Sequence, residues 1–177
     1  MTRKKLIKDI WAEHTRCEFE LKDAEATMET MTAQPSVNHV PTMTGGNGYA
    51  EVYHFYKHYF IPKLPQQIEI TNVSCTVDDD RLVDELIFRF VHDSEIAFML
   101  PNLEPTGKTI AVPLVVIVYL EDEKVAKEHI YWDQATVLKQ LGLLKETKWP
   151  VLGVEQAAKI LDPKLPSNQL LKDAKFA

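Results

Sequence analysis

The sequence predicts an α+β half-barrel, in which a curved antiparallel sheet wraps around N-terminal helices and leaves a cavity between the two layers. Two observations support this fold class. Over the first third of the chain, apolar residues recur at every third or fourth position, which is the spacing of one buried helix face. From Gln67 onward, apolar residues alternate with polar ones, which is the spacing of strands with one buried face.

Two helices are predicted at the start of the chain. Residues 4–21 carry a single apolar stripe, which also includes His14 and Glu18. Residues 23–31 are expected to form a shorter helix, because Asp23 has the side chain of an N-cap and small or apolar residues follow it on one side. The first helix is the element around which we expect the sheet to curve.

A glycine-rich segment leads from these helices toward the sheet. Gly45, Gly46 and Gly48 lack the Gly-Lys-Ser/Thr ending of a phosphate-binding loop, so they are interpreted as a flexible connection. The segment before them, residues 36–41, is predicted to be a short extended piece, and residues 49–60 after them are predicted to form an aromatic helix.

Five strands are predicted, each a run of β-branched and aromatic residues bounded by turn residues. They span residues 68–77, 81–92, 95–100, 110–120 and 125–132. The acidic triplets at 78–80 and 121–123 are expected to be exposed hairpin turns, because they lack the alternating ligand pattern of a calcium loop.

A last core helix over residues 134–144 closes the predicted domain, which therefore spans residues 1–144. The remainder, residues 145–177, contains three prolines around a short amphipathic stretch at residues 154–161. We expect it to be a C-terminal tail that packs on the core or on a partner subunit.

Length and charge exclude several classes of partner. The 177 residues carry 20 basic and 26 acidic side chains, and the basic ones are not clustered as in a nucleic-acid-binding surface. The longest apolar run, residues 112–120, is much shorter than the roughly 20 residues that span a bilayer, so no membrane partner is expected. No apolar signal segment follows the basic N-terminus, which predicts a cytoplasmic protein with Cys17 and Cys75 as reduced thiols.

Over residues 4–144 the chain resembles the SnoaL-like polyketide cyclase family of the nuclear transport factor 2-like superfamily. The resemblance is carried by Pro105, Thr106, Gly107 and Lys108, and by residues 124–142, where an aromatic residue and Asp133 precede a helix that ends Gln-Leu-Gly. It implies a cone-shaped fold, frequent homodimers through the sheet, and members that act as cofactor-free cyclases, isomerases, dehydratases or epoxide hydrolases. Other members catalyse no reaction, so the fold alone does not determine the function.

The active-site positions implied by the resemblance are not all kept. The acid/base aspartate of the cyclases and epoxide hydrolases lies three residues before the position of Asp133, where this chain has Ile130. The arginine and aspartate of the epoxide hydrolases match Leu86 and Phe88, which are both apolar. Epoxide hydrolysis is therefore not expected, and proton transfer would need another residue.

The resemblance and the apolar alternation agree on which strand residues point inward. The inward set of strand 81–92 includes Asp84 and His92, and that of strand 125–132 includes Glu128. The predicted substrate-binding wall is apolar and aromatic. It consists of Leu86, Phe88, Phe90, Val116, Val118, Ile130, Trp132 and, from the aromatic helix, Tyr53.

Glu128 is the strongest candidate for a catalytic base, because a carboxyl group in an apolar cavity can abstract or return a proton near neutral pH. The alternative is an edge glutamate that reaches solvent or pairs with a lysine. His39 lies where relatives place a polar residue that positions water or substrate, which makes it a candidate base or hydrogen-bond donor. Its alternative is a buried histidine bonded to a backbone carbonyl.

His14 faces the same volume if the half-barrel forms, and it would complete a cluster with His39 and Glu128 that can also hold a metal. Nothing in the spacing requires a metal, so a core histidine is the simpler interpretation, and no metal or cofactor is predicted. Asp84 is a further candidate catalytic residue, with a place at the cavity mouth or in a structural ion pair as the alternative.

His129, Tyr131 and Asp133 share the opposite face of the same strand. Asp133 immediately precedes a helix and is predicted to cap it, and the outward face of the sheet is expected to form a dimer surface. These three residues are therefore not expected to be catalytic.

The sequence thus predicts a homodimeric enzyme of cyclase, isomerase or dehydratase type that binds a small apolar, cyclic or carbonyl-containing compound. Glu128 is the expected base, and His39 or His14 would polarise an oxygen. Two alternatives stay open. One is a small-molecule-binding module without turnover, which Ile130 favours, and the other is an interaction domain that uses the tail after Lys145.

Overall fold

The computed structural model describes residues 2–144 and 150–171, and these ranges form helices packed on one curved, six-stranded sheet. The predicted α+β fold class is confirmed. The thiols of Cys17 and Cys75 are both free. Across the described ranges, no helix is both long enough and apolar enough to cross a membrane.

The helices begin and end close to the predicted positions. They are α1 (Arg3–Arg16), α2 (Ala24–Glu29), α3 (Tyr49–Phe55), α4 (Gln134–Leu141) and α5 (Glu155–Leu161). Two of them continue without a break into a π-helical turn with i→i+5 hydrogen bonds, Cys17–Leu21 after α1 and Tyr56–Phe60 after α3. Asp23 caps α2 as predicted, by accepting a hydrogen bond from the backbone N–H of Ala26.

The sheet contains one strand more than predicted. Its strands are β1 (Met31–His39), β2 (Thr44–Asn47), β3 (Ile68–Val77), β4 (Arg81–Val91), β5 (Thr109–Glu121) and β6 (Lys124–Trp132). Their order is β2-β1-β6-β5-β4-β3, and β1 runs parallel to β6 while all other neighbours are antiparallel. Most of the short extended piece predicted at residues 36–41 is thus the second half of β1, a strand inside the sheet. The prediction of a purely antiparallel sheet is wrong, because β1 and β6 are parallel.

The predicted strand at residues 95–100 is also wrong. These residues form turns, in which the backbone N–H of Leu100 donates to the carbonyl of Ile96. They are apolar because they fill the core from a loop: the rings of Phe98 and Phe60 have centroids 4.7 Å apart. A buried loop and a short buried strand have the same composition, so the sequence pattern did not separate them.

The glycine-rich segment is not a flexible connection. Gly45 and Gly46 lie in β2 and pair with β1. At Gly45 the φ angle is +140°, and a Cβ atom there would lie 1.9 Å from the carbonyl oxygen of Val37. Glycine is required because the two strands approach closely at this point.

The C-terminal segment packs on the outer face of its own sheet. Ala157 of α5 is buried against Ile87 and Ala111, on the face opposite the α1 layer. The side-chain amide of Gln156 donates a 2.7 Å hydrogen bond to Asp133. Residues 145–149 and 172–177 of the predicted tail lie outside the described residues, so the boundary between domain and tail stays a prediction.

Candidate functional site

A cavity of about 380 Å³ lies between α1, the aromatic helix α3 with its π-helical turn, and the inner face of the sheet. Its wall is mostly apolar and buried. The sheet supplies Val37, Leu82, Leu86, Phe88, Leu114, Val116 and Ile130. Lys8 and Ala12 of α1 and Asn72 of β3 are exposed to solvent, so the cavity opens between these two elements.

The structure places four of the predicted substrate-binding residues on this wall. They are Leu86, Phe88, Val116 and Ile130. Phe90, Val118 and Trp132 are core residues that do not reach the cavity. Tyr53 was also predicted to line the cavity, but it does not. Its hydroxyl instead donates a hydrogen bond to the exposed carboxylate of Glu25.

Glu128 lies in β6 with its carboxylate on the cavity wall, and the residue is only 3% exposed. The phenol of Tyr56 donates a hydrogen bond of 3.0 Å to its Oε1, and Nε2 of His14 lies 3.2 Å from the same oxygen. The inward orientation predicted for Glu128 is therefore observed. Its neighbours are a histidine and a tyrosine, not solvent or a lysine.

His14 is fully buried in α1, behind the carboxylates and off the cavity wall itself. Its Nδ1 lies 2.6 Å from the hydroxyl of Thr30, which in turn donates to the carbonyl of Thr27 at 2.6 Å. A hydroxyl has one hydrogen, so Thr30 accepts from the Nδ1–H of His14. The other ring nitrogen, Nε2, is consequently the one that faces the carboxylates.

Glu18 is not among the predicted site residues, yet it completes this group. Its Oε1 lies 3.3 Å from Nε2 of His14, and its buried side chain lines the cavity together with Glu128. The available signal was the i,i+4 spacing of His14 and Glu18 on the buried stripe of the first helix. We call His14, Glu18, Tyr56 and Glu128 the acid cluster.

Two residues of the acid cluster that line the cavity come from helices, and both lie on π-helical turns. Glu18 belongs to Cys17–Leu21 and Tyr56 to Tyr56–Phe60. Such turns are rare and occur frequently at functional sites, because the wider turn redirects side chains relative to a regular helix. In this fold they bring the carboxyl of Glu18 and the phenol of Tyr56, from two helices, to within 3.3 Å of the same atom, Nε2 of His14.

Burial and charge oppose each other within the acid cluster. Burial alone would lower the pKa of His14, but the negative charges of Glu128 and Glu18 outweigh it and raise the pKa to about 10. Burial raises the pKa of Glu18, although His14 acts against this change. Burial and the two carboxyl groups raise the pKa of Tyr56 well above its usual value, so its phenol keeps its proton and donates it.

His39 lines the cavity at the end of β1. Its ring lies among those of Phe55, Phe60 and Phe98, with centroid distances of 5.9, 5.9 and 5.1 Å. Burial lowers the pKa of His39 to about 4, even though the charge of Glu128 acts in the opposite direction, so the ring is neutral at pH 7. Its Nδ1 is buried and has no hydrogen-bond partner within residues 2–144 and 150–171.

Asp84 is half-buried on the cavity wall near the opening. The indole N–H of Trp11 donates a hydrogen bond of 3.1 Å to one carboxylate oxygen of Asp84, and the side-chain amide of Asn72 donates a hydrogen bond to the other. Asp84 thus lies at the cavity mouth, one of the two alternatives considered for it, and the groups that hold it are neutral donors, not the cation of an ion pair.

The outward face of β6 matches its prediction. Tyr131 is exposed and His129 half-buried. Asp133 caps α4 by accepting hydrogen bonds of 2.8 and 3.4 Å from the backbone N–H groups of Ala135 and Thr136.

One group of residues in the described part of the chain has the composition and proximity of a metal site. Donor atoms of His14, Glu18 and Glu128 all lie within 4.8 Å of one another, and all three residues are buried. The metal-binding group considered from the sequence was His14, His39 and Glu128. In the structure, Glu18 and not His39 is the third member of the group.

The sequence has no match among protein-family models, and no curated protein matches it. Solved structures do match. A protein from Jannaschia sp. CCS1, provisionally named a SnoaL-like polyketide cyclase, superposes with a TM-score of 0.64 at 17% identity, covering 82% of this chain and 97% of that one. AclR from Streptomyces galilaeus, provisionally named a hydroxylase, superposes with a TM-score of 0.61 at 15% identity, covering 88% of this chain and 94% of that one.

A third match carries a bound small molecule. A protein from Catenulispora acidiphila with a ketosteroid isomerase-like fold, solved with trimethylamine, gives a TM-score of 0.58 at 13% identity, covering 81% of this chain and 98% of that one. At these identities the similarity establishes the fold and not the reaction. The fold implied by the SnoaL-like, nuclear transport factor 2-like resemblance is confirmed.

Proposed function

We propose that this protein is a small-molecule enzyme that moves a proton on a small cyclic or carbonyl-containing compound, as an isomerase, cyclase or dehydratase does. The observation that carries the proposal is the buried carboxylate of Glu128 on the wall of an apolar cavity of about 380 Å³. A cavity of this size suits a small ligand, and its apolar wall favours an apolar or cyclic one.

In the proposed reaction, Glu128 removes a proton from a carbon next to a carbonyl group. The electron pair of that C–H bond forms a carbon–carbon double bond, the π pair of the carbonyl group moves to its oxygen, and a neutral His39 donates a hydrogen bond to the resulting enolate. Glu128 then returns the proton at another atom of the same compound. Tyr56 and His14 act as positioning residues, because they hold Glu128 and do not need to touch the ligand.

The experiment follows hydrogen exchange and isomerisation of two probes, cyclohexanone and cyclohex-3-en-1-one, in D₂O by proton NMR. We expect the protein to accelerate at least one of them and Glu128→Gln to reduce that rate by about 10²- to 10⁴-fold. Glu85→Gln is the matched control, because Glu85 lies on the same sheet but donates no atom to the cavity wall. An unchanged rate in Glu128→Gln contradicts the assignment of the base.

A second candidate is a binding module without turnover, favoured by the apolar Ile130 where the resemblance implies an acid/base aspartate. Displacement of a fluorescent apolar dye from the cavity measures binding independently of turnover. A protein that releases the dye to cyclic ketones, yet leaves both probes unchanged, supports this second candidate against the first.

Two further features stay predictions from the sequence. One is a cytoplasmic location, and the other is a homodimer through the outer face of the sheet, where Tyr131 is 43% exposed. Light scattering of the purified chain tests the dimer, and Tyr131→Glu should dissociate it if this face is used. An interaction role for the tail is less favoured, because α5 already packs on its own sheet.

A further inference from the structure

We propose that His14, Glu18 and Glu128 form a site for one divalent transition-metal ion, such as zinc, and that the bound ion prevents Glu128 from acting as a base. The binding site follows from the geometry of the acid cluster. The inhibitory effect rests, in addition, on the proposed function.

The distances suit an ion that takes the place of a shared proton. Nε2 of His14 lies 3.2 Å from Oε1 of Glu128 and 3.3 Å from Oε1 of Glu18. In a tetrahedral zinc site with bonds of about 2.0 Å, neighbouring donor atoms lie roughly 3.3 Å apart. The donor atoms of the two glutamates lie within 4.8 Å of each other, so the imidazole and the two carboxylates can bind one ion if the carboxylates move together.

The orientation of His14 is that of a metal ligand. Its Nδ1–H donates to Thr30, whose hydroxyl is itself fixed by the carbonyl of Thr27. A metal-binding histidine almost always donates its second N–H in this way, which fixes the tautomer and directs the lone pair of the other nitrogen. Here Nε2 faces the carboxylates of Glu18 and Glu128, with the phenol oxygen of Tyr56 also 3.3 Å away.

The charge of the proposed ligands suits a divalent ion. Two carboxylates and a neutral imidazole around such an ion carry no net charge in the buried site, and its uptake would release to solvent whatever protons these groups held. Tyr56 would keep its hydrogen bond to Glu128 and fix the orientation of that ligand.

A fourth coordination position would face the cavity, because Glu18 and Glu128 both line it. Three protein ligands with one open position is the arrangement of zinc sites that accept water or a ligand. His39 lines the same cavity, is 5% exposed, and has an Nδ1 atom without a partner in the described part of the chain. It is therefore available to bond a water molecule on the ion.

The binding test uses the full chain after treatment with a chelator, titrated with Zn²⁺ and with Co²⁺ by calorimetry. We expect one ion per chain, and Glu18→Gln to weaken binding by at least about 100-fold, since removing a group that only orients a ligand already costs 10- to 100-fold. Glu13→Gln is the matched control, because Glu13 lies on the same helix but is exposed and pairs with Arg16. It should bind as the unmodified chain does.

A surface pair of histidines offers a competing site that the test must separate. His54 and His58 lie four residues apart, with ring centroids 4.6 Å from each other. The double variant His54→Gln/His58→Gln should keep the stoichiometric ion. Loss of binding in this variant, with binding kept in Glu18→Gln, overturns the proposal.

If Glu18→Gln does not fold, a second measurement tests the site with all three proposed ligands unchanged. Trp11 stacks on His14, with centroids 5.4 Å apart and an angle of 15° between the rings. Co²⁺ bound to His14 should therefore quench the fluorescence of Trp11, and the quenched fraction should disappear in Trp11→Phe, which alters no ligand. Failure of both ions to bind, or quenching that is equal in Trp11→Phe, contradicts the site.

The two proposals fail separately. Metal binding without any activity on the probes supports the site and leaves the proposed enzyme without support. If the chelator-treated chain is active on the probes but binds no metal, the proposed enzyme is supported and the metal site is not. Activity that falls in proportion to bound Zn²⁺, and is restored by chelator, supports both.

Discussion

Nε2 of His14 lies 3.2 Å from Oε1 of Glu128, so the first helix and the last strand of the sheet meet at one buried contact between opposite charges. Neither side chain is exposed enough for solvent to screen the interaction, since their exposed fractions are 0% and 4%. The contact joins two ends of the domain and holds the carboxylate on which the proposed chemistry depends. Its loss should affect stability and reactivity together.

Replacing His14 by Gln should lower the free energy of unfolding by about 3–5 kcal/mol, because it leaves two buried carboxyl groups without their cation. Urea unfolding at pH 7 measures the change. The double variant His14→Gln/Glu18→Gln should recover part of the loss, since one of the unpaired carboxyl groups is then gone. His129→Gln, on the outward face of β6, is the control and should change stability little. A double variant no more stable than His14→Gln would contradict the cost assigned to the unpaired carboxyl group of Glu18.

Replacing Tyr56 by Phe removes the hydroxyl that donates to Glu128 and leaves the ring in place. We expect stability to fall by about 1–3 kcal/mol, because the buried carboxylate loses a donor. In the exchange assay, the pH dependence of the rate should shift, which a purely structural effect would not produce. Tyr59→Phe, at a tyrosine that is 48% exposed, should change neither quantity.

His39 should make the protein sensitive to acid. Its pKa is about 4 in the folded state, against an ordinary histidine value of 6.5, so the unfolded chain binds a proton that the folded chain rejects. The stability due to neutral His39 is therefore complete above pH 6.5 and is lost as the pH falls toward 4. Between pH 7 and pH 5 the loss should be about 2 kcal/mol.

The variant His39→Phe isolates this contribution, because Phe fits among the three aromatic rings around His39 and cannot be protonated. Glu18 acts in the opposite direction, since a raised pKa in the folded state stabilises the protein as the pH falls through it. The comparison is therefore between the slopes of His39→Phe and the parent chain from pH 7 to pH 5. Equal slopes would show that His39 does not titrate as described.

Replacing Gly45 by Ala should destabilise the protein by about 3 kcal/mol or more, because the new Cβ atom would lie 1.9 Å from the carbonyl oxygen of Val37. Gly107→Ala is the matched control. Gly107 also has a positive φ, +68°, but a Cβ atom added there would meet nothing within 4 Å, so about 1 kcal/mol is expected. Thermal unfolding of the two variants gives the comparison, and similar losses would contradict the importance of the β1–β2 contact.

The sequence predicted the elements that local patterns define. The alternation along β4 and β6 gave the inward face correctly, and with it the position of Glu128. Ile87 lies on the outward face of β4 but is buried, because α5 covers it. Asp133 was predictable as a cap because its place before a helix is a local property.

The features that the sequence did not predict depend on contacts between distant segments. The parallel pairing of β1 with β6 joins Val37 to Glu128, and no local period indicates it. Glu18 was visible on the stripe of the first helix, but a glutamate there is ordinarily a residue at the edge of the buried face. Its burial became apparent only when Glu128 and Tyr56 were placed against the same histidine.

The π-helical turns at Cys17–Leu21 and Tyr56–Phe60 have a consequence for recognising relatives of this chain. Each is equivalent to one inserted residue in an otherwise regular helix, so an ungapped alignment with a regular helix drifts by one position there. A homologue that shares the half-barrel but lacks both insertions would direct its side chains elsewhere. The two extra residues, more than overall identity, should therefore distinguish the proteins that retain this arrangement of acids from those that retain the scaffold alone.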